Sequence, residues 1–296
     1  MLICNHWPRW FRDHFGDEVP QTYATFDTET TGFSFDKDVI WNIAHVLVVD
    51  GKIENQLDLV LDWTNHKVVP GHWIQDRLNR QRQDMVLKGL KAPRAWERMK
   101  AEGKPPEEVL SFYNTFFRKL MADGVPLVSH NGYAFDEKML AHNFAGFSIS
   151  ADFKINDSMW DTVAIEKGNL IMAAGMDYKR FLPQTGETMR RWCLRVKHAN
   201  TPGIKPRIDD IVARYGFEAK YGLTQAALHG ALSDSRCIHY LIEEYRNGYS
   251  PVDLPLAPWE APRTEIEPFS GTQVPRPSRI VVPPSRPVRR RGQRCN

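Results

Sequence analysis

Apolar positions along the chain fall first into strand-like runs and later into helical stripes. Residues 22–26 make a short β-rich run, and residues 39–49 and 53–63 make two longer ones separated by Asp50-Gly51. Asp-Gly between such runs predicts a hairpin, because both central residues of the favoured tight turn adopt positive φ. A helical stretch over 107–121, a third hydrophobic run at 125–128 and a helix beginning near Phe135 come next. Strands first, then strands alternating with helices, predict an α/β layered fold with a mixed sheet. Two later helices are expected over 209–215, after Pro206, and in a long segment ending near Tyr245. In the second, Leu232, Ile238, Leu241 and Ile242 recur at helical spacing and mark a core face.

Two segments break this pattern. Residues 64–106 are polar and basic, with Arg77, Arg80, Arg82, Lys88, Lys91, Arg94, Arg98 and Lys100 accompanying Trp73, Met85, Leu87 and Trp96. The segment reads equally as a basic helical flap over a nucleic-acid strand and as an amphipathic helix pair with a solvated charged face. From Pro251 onward prolines recur too densely for helix or sheet, which predicts an extended or disordered tail over 251–296.

The 296 residues, 42% hydrophobic, suffice for one globular domain over 22–250 between an N-terminal extension, 1–21, and the tail. No apolar run approaches the roughly 18 residues of a membrane span, and the opening MLICNHWPRWFRDHF lacks a signal-peptide apolar region. A soluble, cytoplasmic protein is therefore expected. Cys4, Cys193, Cys237 and Cys295 form no CxxC pair and read as free thiols in a reducing compartment. The net charge of +3 is unevenly spread: residues 268–296 hold seven arginines and no acidic residue, so the rest of the chain is net acidic. An acidic body with a basic tail fits a carboxylate-lined metal site joined to a phosphate-seeking arm, and the tail also reads as a plain solubilising linker.

Candidate chemistry sits where strands run into turns. In Asp27-Thr28-Glu29 the two acidic residues are two apart on an expected strand exit, so they share a face and can share a cation. Thr30, Thr31 and Gly32 then end the strand and bring backbone N–H groups near that point, where a terminal nucleotide could rest. A second piece, Ser129 to Asp136, puts Asp136 in a first helical turn, where a carboxylate suits the positive end of the helix dipole. His130 and Asn131 read there as turn formers. In the third, HGALSD at 229–234, positions five apart on a continuous helix would diverge by about 140°. His229 and Asp234 converge only if the helix starts after Gly230, which the flexibility of glycine permits. A neutral imidazole placed so can take a proton from a water.

FDTETTG at 26–32, HNGYAFD at 130–136 and HGALSD at 229–234 together resemble the DEDDh 3′-to-5′ exonucleases. That branch of the ribonuclease H-like superfamily includes polymerase proofreading subunits, ribonuclease T and oligoribonuclease. The resemblance, covering about 22–245, implies a ribonuclease H-like mixed central sheet flanked by helices and two Mg²⁺ or Mn²⁺ ions. It implies that Asp27 bridges both ions, Glu29 and Asp234 hold the one beside the attacking water, Asp136 holds the other largely through water, and His229 is the general base. Asp161, with Thr162, resembles a segment that supports the site. Phe33 stands where the family often has an apolar residue wedged between the last two bases, although a buried core phenylalanine fits the sequence equally. Thr30, Thr31, Gly32, Phe33 and Asn131 are the expected substrate contacts.

Segments 64–106 and 168–206 and the tail depart from the family. In 168–206, Arg190, Arg191, Arg195 and Lys197 around Trp192 suit either backbone contact or a solvated helix with a buried tryptophan. The expected reaction releases nucleoside 5′-monophosphates from a single-stranded or frayed 3′ end, of DNA in the first instance, with RNA the alternative. A polymerase or a replication or repair protein is an expected partner. A non-catalytic nucleic-acid-binding or polymerase-docking module is the reading from another class.

Overall fold

A computed structural model of the protein describes residues 19–67, 69–87, 94–174, 176–177 and 179–247. The expected tail, most of the N-terminal extension, Lys88, Lys91, Cys4 and Cys295 lie outside the described residues.

The centre is a five-stranded sheet in the order β3-β2-β1-β4-β5, built from β1 (Tyr23–Thr30), β2 (Ile40–Val49), β3 (Lys52–Val60), β4 (Leu127–Ser129) and β5 (Trp160–Asp161). β1, β2 and β3 pair antiparallel, whereas β4 pairs parallel with β1, and β5 parallel with β4. This mixed sheet flanked by helices is the α/β architecture the sequence implies. The hairpin forms at Asp50-Gly51 with φ of 48° and 76°, the double-positive turn that this dipeptide favours.

β1 is longer than its apolar run. It continues through Asp27, Thr28, Glu29 and Thr30, because β2 supplies partners for them: Asp27 opposes Ala44 and Glu29 opposes Asn42. Backbone pairing in a central strand overrides the poor strand propensity of acidic residues. The third run is shorter than expected and shifted to Leu127–Ser129, since Pro126 has no N–H to donate and enters the ladder only through its carbonyl, which accepts from Ala24 N–H at 3.0 Å.

Among the described residues the α-helices are α1 (Gly71–Leu87), α2 (Ala95–Glu102), α3 (Pro106–Ala122), α4 (Asp136–Gly146), α5 (Thr162–Ala173), α6 (Met189–His198), α7 (Ile208–Arg214), α8 (Phe217–Tyr221) and α9 (Ala231–Arg246). α3 starts with proline in its first turn, followed by Glu107 and Glu108, which suits the helix dipole. It packs Phe117 on Phe26 of β1, ring centroids 4.9 Å apart. α9 lies on the opposite face of β1, where Thr25 Oγ1 donates to Ser235 O at 2.9 Å. Alternation along β1 therefore turns Thr25, Asp27 and Glu29 towards α9, and Phe26 and Thr28 towards α3 and α4.

The 64–106 segment is an amphipathic pair: α1 buries Ile74 and Leu78, and α2 buries Ala95 and Met99. Several of its cations are held within the protein, as Arg77 pairs with Asp38 and Arg98 with Asp58 and Glu102. In α6, Trp192 is buried and donates from Nε1 to Phe181 O at 2.9 Å, while Arg190 pairs with Glu137 and Arg195 with Glu187. The buried-tryptophan reading of 168–206 fits these side chains. Cys193 and Cys237 are buried free thiols, and no described helix is long and apolar enough to cross a membrane.

Candidate active site

Three elements deliver the acidic residues to one cleft of about 300 Å³. Asp27 and Glu29, two apart on β1, form its floor. Asp234, in the first turn of α9, faces them, and one carboxylate oxygen from each lies within 4.8 Å of the others. Asp136 enters from the other side of β1 at the start of α4. Thr28 Oγ1 donates to its Oδ1 at 2.5 Å and Ser129 Oγ to its Oδ2 at 3.3 Å. The alternation of β1 separates the four: Asp27, Glu29 and Asp234 form one tight group, and Asp136 lines the same cleft beside Thr28.

Burial dominates the electrostatics of this group. It pushes the Asp27 carboxyl well above the usual carboxylate range, and the neighbouring charges of Asp234, Asp136 and Glu29 push the same way. Glu29 is raised to about 8 by burial and then by Asp234. Asp234 is raised to about 7 by burial, against the opposing pull of His229. Burial also lifts Asp136 to about 7 in spite of the Thr28 hydroxyl. Four carboxyl groups that resist ionising together lack positive charge at their centre. Their hard oxygens are the donors that Mg²⁺ or Mn²⁺ prefers, so the donor set fits the expected ions.

α9 does begin after Gly230. The turn itself, however, is made at His229, whose φ is 69°, while Gly230 is extended at φ −143°. A non-glycine residue in the left-handed region is strained and needs support from its surroundings. Asp234 Oδ1 provides it by accepting the His229 backbone N–H at 3.2 Å. The first free N–H of α9, from Ala231, is taken at 3.2 Å by Asn42 Oδ1 on β2. His229 then projects into the cleft with Nε2 3.2 Å from Asp209 Oδ1 in the first turn of α7. Asp209 raises the affinity of the imidazole for its proton.

The turn before α4 is fastened from below. Asn131 has φ 79°, and its N–H donates to Asp161 Oδ1 at 2.8 Å; the same carboxylate accepts from Val163 N–H at 3.2 Å. Asp161 thus shapes the loop that delivers Asp136, without lining the cleft. His130, which also lines the cleft, is held at both ring nitrogens: Nε2 donates to Pro206 O at 2.8 Å and Nδ1 lies 2.9 Å from Thr162 Oγ1. Burial holds its pKa down at about 4.

Of the expected substrate contacts, Thr30 and Phe33 line the cleft. Phe33 is 80% exposed, which removes the core-phenylalanine reading. Thr31 is buried and donates from Oγ1 to Asp38 at 2.8 Å. Gly32 presses against the same carboxylate, which a Cβ would meet at 2.6 Å. Asn131 is half-buried, and its buried Oδ1 has no hydrogen-bond partner among the described residues.

No family model matches the chain, and no curated protein matches it. Among solved structures it is similar to exonuclease I of E. coli. A complex of that protein with a dA16 oligonucleotide aligns at a TM-score of 0.45 and 15% identity over 77% of this chain. A zinc-bound complex with single-stranded DNA aligns at 0.43 and 15% over 76%. A product-bound exonuclease I aligns at 0.45 and 13% over 77%. The chain spans only 40–44% of the length of these neighbours.

The sequence did not single out Asp209, Asn42 and Asp38. Asn42 carried a signal, being a polar residue inside the otherwise apolar IWNIAHVLVV. Asp209 and Asp38 carried none, because acidic residues at a helix start or in a loop are common.

Proposed function

We propose that the protein is a divalent-metal-dependent 3′-to-5′ exonuclease acting on single-stranded or frayed nucleic-acid ends, with DNA the first substrate and RNA the alternative. The observation that carries this reading is the meeting of Asp27, Glu29 and Asp234 within 4.8 Å, in a cleft shared with Asp136. Asp27, Glu29 and Asp234 would hold one ion; Asp27 and Asp136 would hold a second. Two ions bound there supply the positive charge that activates a water and stabilises the departing 3′ oxygen.

The chain's own groups do the rest. His229 takes the proton of the attacking water, and Asp209, against Nε2, orients the ring and stabilises the imidazolium that results. Thr28 and Ser129 fix the rotamer of Asp136. Phe33 stacks on a base at the terminus, where it favours an unpaired strand. His229→Ala should lower kcat by about 10²–10⁴. Asp209→Asn should lower it less and leave KM for the strand nearly unchanged. A full-rate His229→Ala enzyme would remove the imidazole from the mechanism.

The reading is tested by incubating end-labelled single-stranded DNA, duplex DNA and RNA with the purified protein and Mg²⁺. Stepwise shortening from the 3′ end with release of 5′-monophosphates is expected, and metal-dependent binding without products would support a non-catalytic binding module instead.

A further inference from the structure

The cations of α6 divide into two groups. Arg190 and Arg195 are engaged by Glu137 and Glu187, whereas Lys197 and His198, in the last turn, pair with no carboxylate among the described residues. Lys197 nevertheless has a fixed place. Seven residues carry a helix to about 20° short of two full turns, so Lys197 shares a face with Arg190. Arg190 fastens that face to Glu137 in the first turn of α4. Lys167 of α5 fastens the other end, donating from Nζ to Lys197 O at 2.8 Å and to Ala199 O at 2.7 Å. Lys197 is thereby held half-buried near the start of α4. Burial pushes its ammonium down, Asp161 pushes it up, and Lys138 and Asp136 add smaller effects of opposite sign, which puts all three charged groups close to it.

Lys138, exposed in the first turn of α4, completes the group. Its Nζ lies 5.3 Å from the centroid of the Phe35 ring, and Phe35 packs at 5.9 Å on Phe135, which lines the cleft. His198 is exposed, and after burial the charges of Lys197, Lys138 and Lys167 push its imidazole down. Three lysines and a histidine thus converge at the Asp136 edge of the cleft, on a chain that is net acidic outside its tail. Like charges brought together repel, and their summed field favours an anion where they meet. On the exonuclease reading, the bond that breaks joins phosphorus to the 3′ oxygen of the strand that remains. That oxygen departs on the Asp136 side, opposite the water held near Glu29, Asp234 and His229, and the remaining strand carries a negative charge at every phosphate past the same edge.

We infer that Lys197 and Lys138, with His198 beside them, form a phosphate track that holds the strand on the 5′ side of the scissile bond. The inference rests on the exonuclease reading and extends it to α6, in a segment that departs from the family. An ammonium meets a phosphate as a point charge and reads no base, so the track takes DNA and RNA of any sequence. It grips a part of the strand that does not react, and therefore acts on KM rather than on kcat. Arg190 and Lys167 serve it only by fixing the two ends of α6.

The test compares wild type with Lys197→Gln, Lys138→Gln, the double glutamine variant and Lys197→Arg. Two kinds of substrate are given with Mg²⁺: single-stranded DNA and RNA oligonucleotides, and thymidine 5′-p-nitrophenyl phosphate, whose leaving group carries no phosphate. Oligonucleotide binding is followed by fluorescence anisotropy in EDTA over a range of salt. Each glutamine variant should raise KM for the oligonucleotide roughly 2–5-fold with kcat unchanged, the size of one solvent-exposed ion pair. Each should also reduce the salt slope of binding by about 0.7. The double variant should lose more in both than either single one, and Lys197→Arg, which keeps the charge, should stay close to wild type. Hydrolysis of the p-nitrophenyl ester should not distinguish any variant from wild type. Wild type that hydrolyses neither substrate overturns the exonuclease reading. Active wild type whose glutamine variants keep the oligonucleotide KM and the salt slope overturns the track alone. So does loss of ester hydrolysis in a Lys197→Gln protein that melts as wild type does, which would assign that lysine to the support of Asp136. Lys138 is exposed, so its variant carries the test even where Lys197→Gln does not fold.

Discussion

Asp27→Ala or Asp234→Ala should reduce exonuclease turnover at least ~10³-fold, the upper end of the loss caused by removing one fixed electrostatic group, and Asp27→Ala should also make the metal-free protein more stable. The two effects have one cause. Asp27, Glu29 and Asp234 are held together by the pairing of β1 with β2 and by the start of α9. Burial raises the proton affinity of each, Asp234 adds to that of Asp27 and Glu29, and Glu29 adds to that of Asp27. Removing one carboxyl relieves that repulsion and also removes a ligand. The check is a thermal melt in EDTA beside an activity assay. Melting should rise by roughly 2–4 °C for each kcal/mol relieved in a domain of this size. An alanine variant that retains turnover, or an Asp27→Ala protein that melts lower in EDTA, contradicts this account of the cleft.

The second large effect is a coupling between pH and divalent metal. Glu29, Asp136 and Asp234 have folded values of about 8, 7 and 7, above their ordinary carboxyl values. They bind protons more tightly folded than unfolded. Their contribution to stability is complete below the unfolded values near pH 4 and is lost as pH rises through 7 to 8. Asp27 and Glu29 are partly open to the cleft, so solvent moderates their share. Metal-free protein should therefore melt lower at pH 8 than at pH 5. Mg²⁺ or Mn²⁺ should raise the melting temperature more at pH 8, where fewer protons need to be displaced. His45 and His130, both pushed down to about 4 by burial, act in the opposite sense below about pH 6.5. The comparison is therefore made against Asp27→Asn, which shares both histidines and should show a smaller metal effect at pH 8. Equal metal shifts in the two proteins would contradict the coupling.

Much of the cleft was legible from strand period and motif spacing. The two-residue spacing of Asp27 and Glu29 placed them on one face because a strand alternates whatever its composition. The five-residue spacing of His229 and Asp234 forced a helix start between them, and α9 starts there. The strained residue was not legible: glycine suggested the turn at Gly230, but the left-handed φ belongs to His229, held by the carboxylate of Asp234. The length of β1 was hidden for a similar reason. Local propensity ends the strand at Phe26, and the ladder with β2, which no local window contains, carries it to Thr30. Asp38 was out of reach altogether, since its importance comes from Arg77, 39 residues away in the chain. The basic character of 64–106 suggested phosphate contact, yet Arg77 and Arg98 are engaged by Asp38, Asp58 and Glu102. Charge counts along a chain cannot separate a cation that meets a ligand from one that braces the fold.

The most direct test of the carboxylate cleft as a two-ion centre is anomalous diffraction from crystals soaked in Mn²⁺. Two peaks are expected about 3.5–4 Å apart, both against Asp27, one shared with Glu29 and Asp234 and the other facing Asp136. No manganese in the cleft, or manganese bound only away from Asp27, would contradict it.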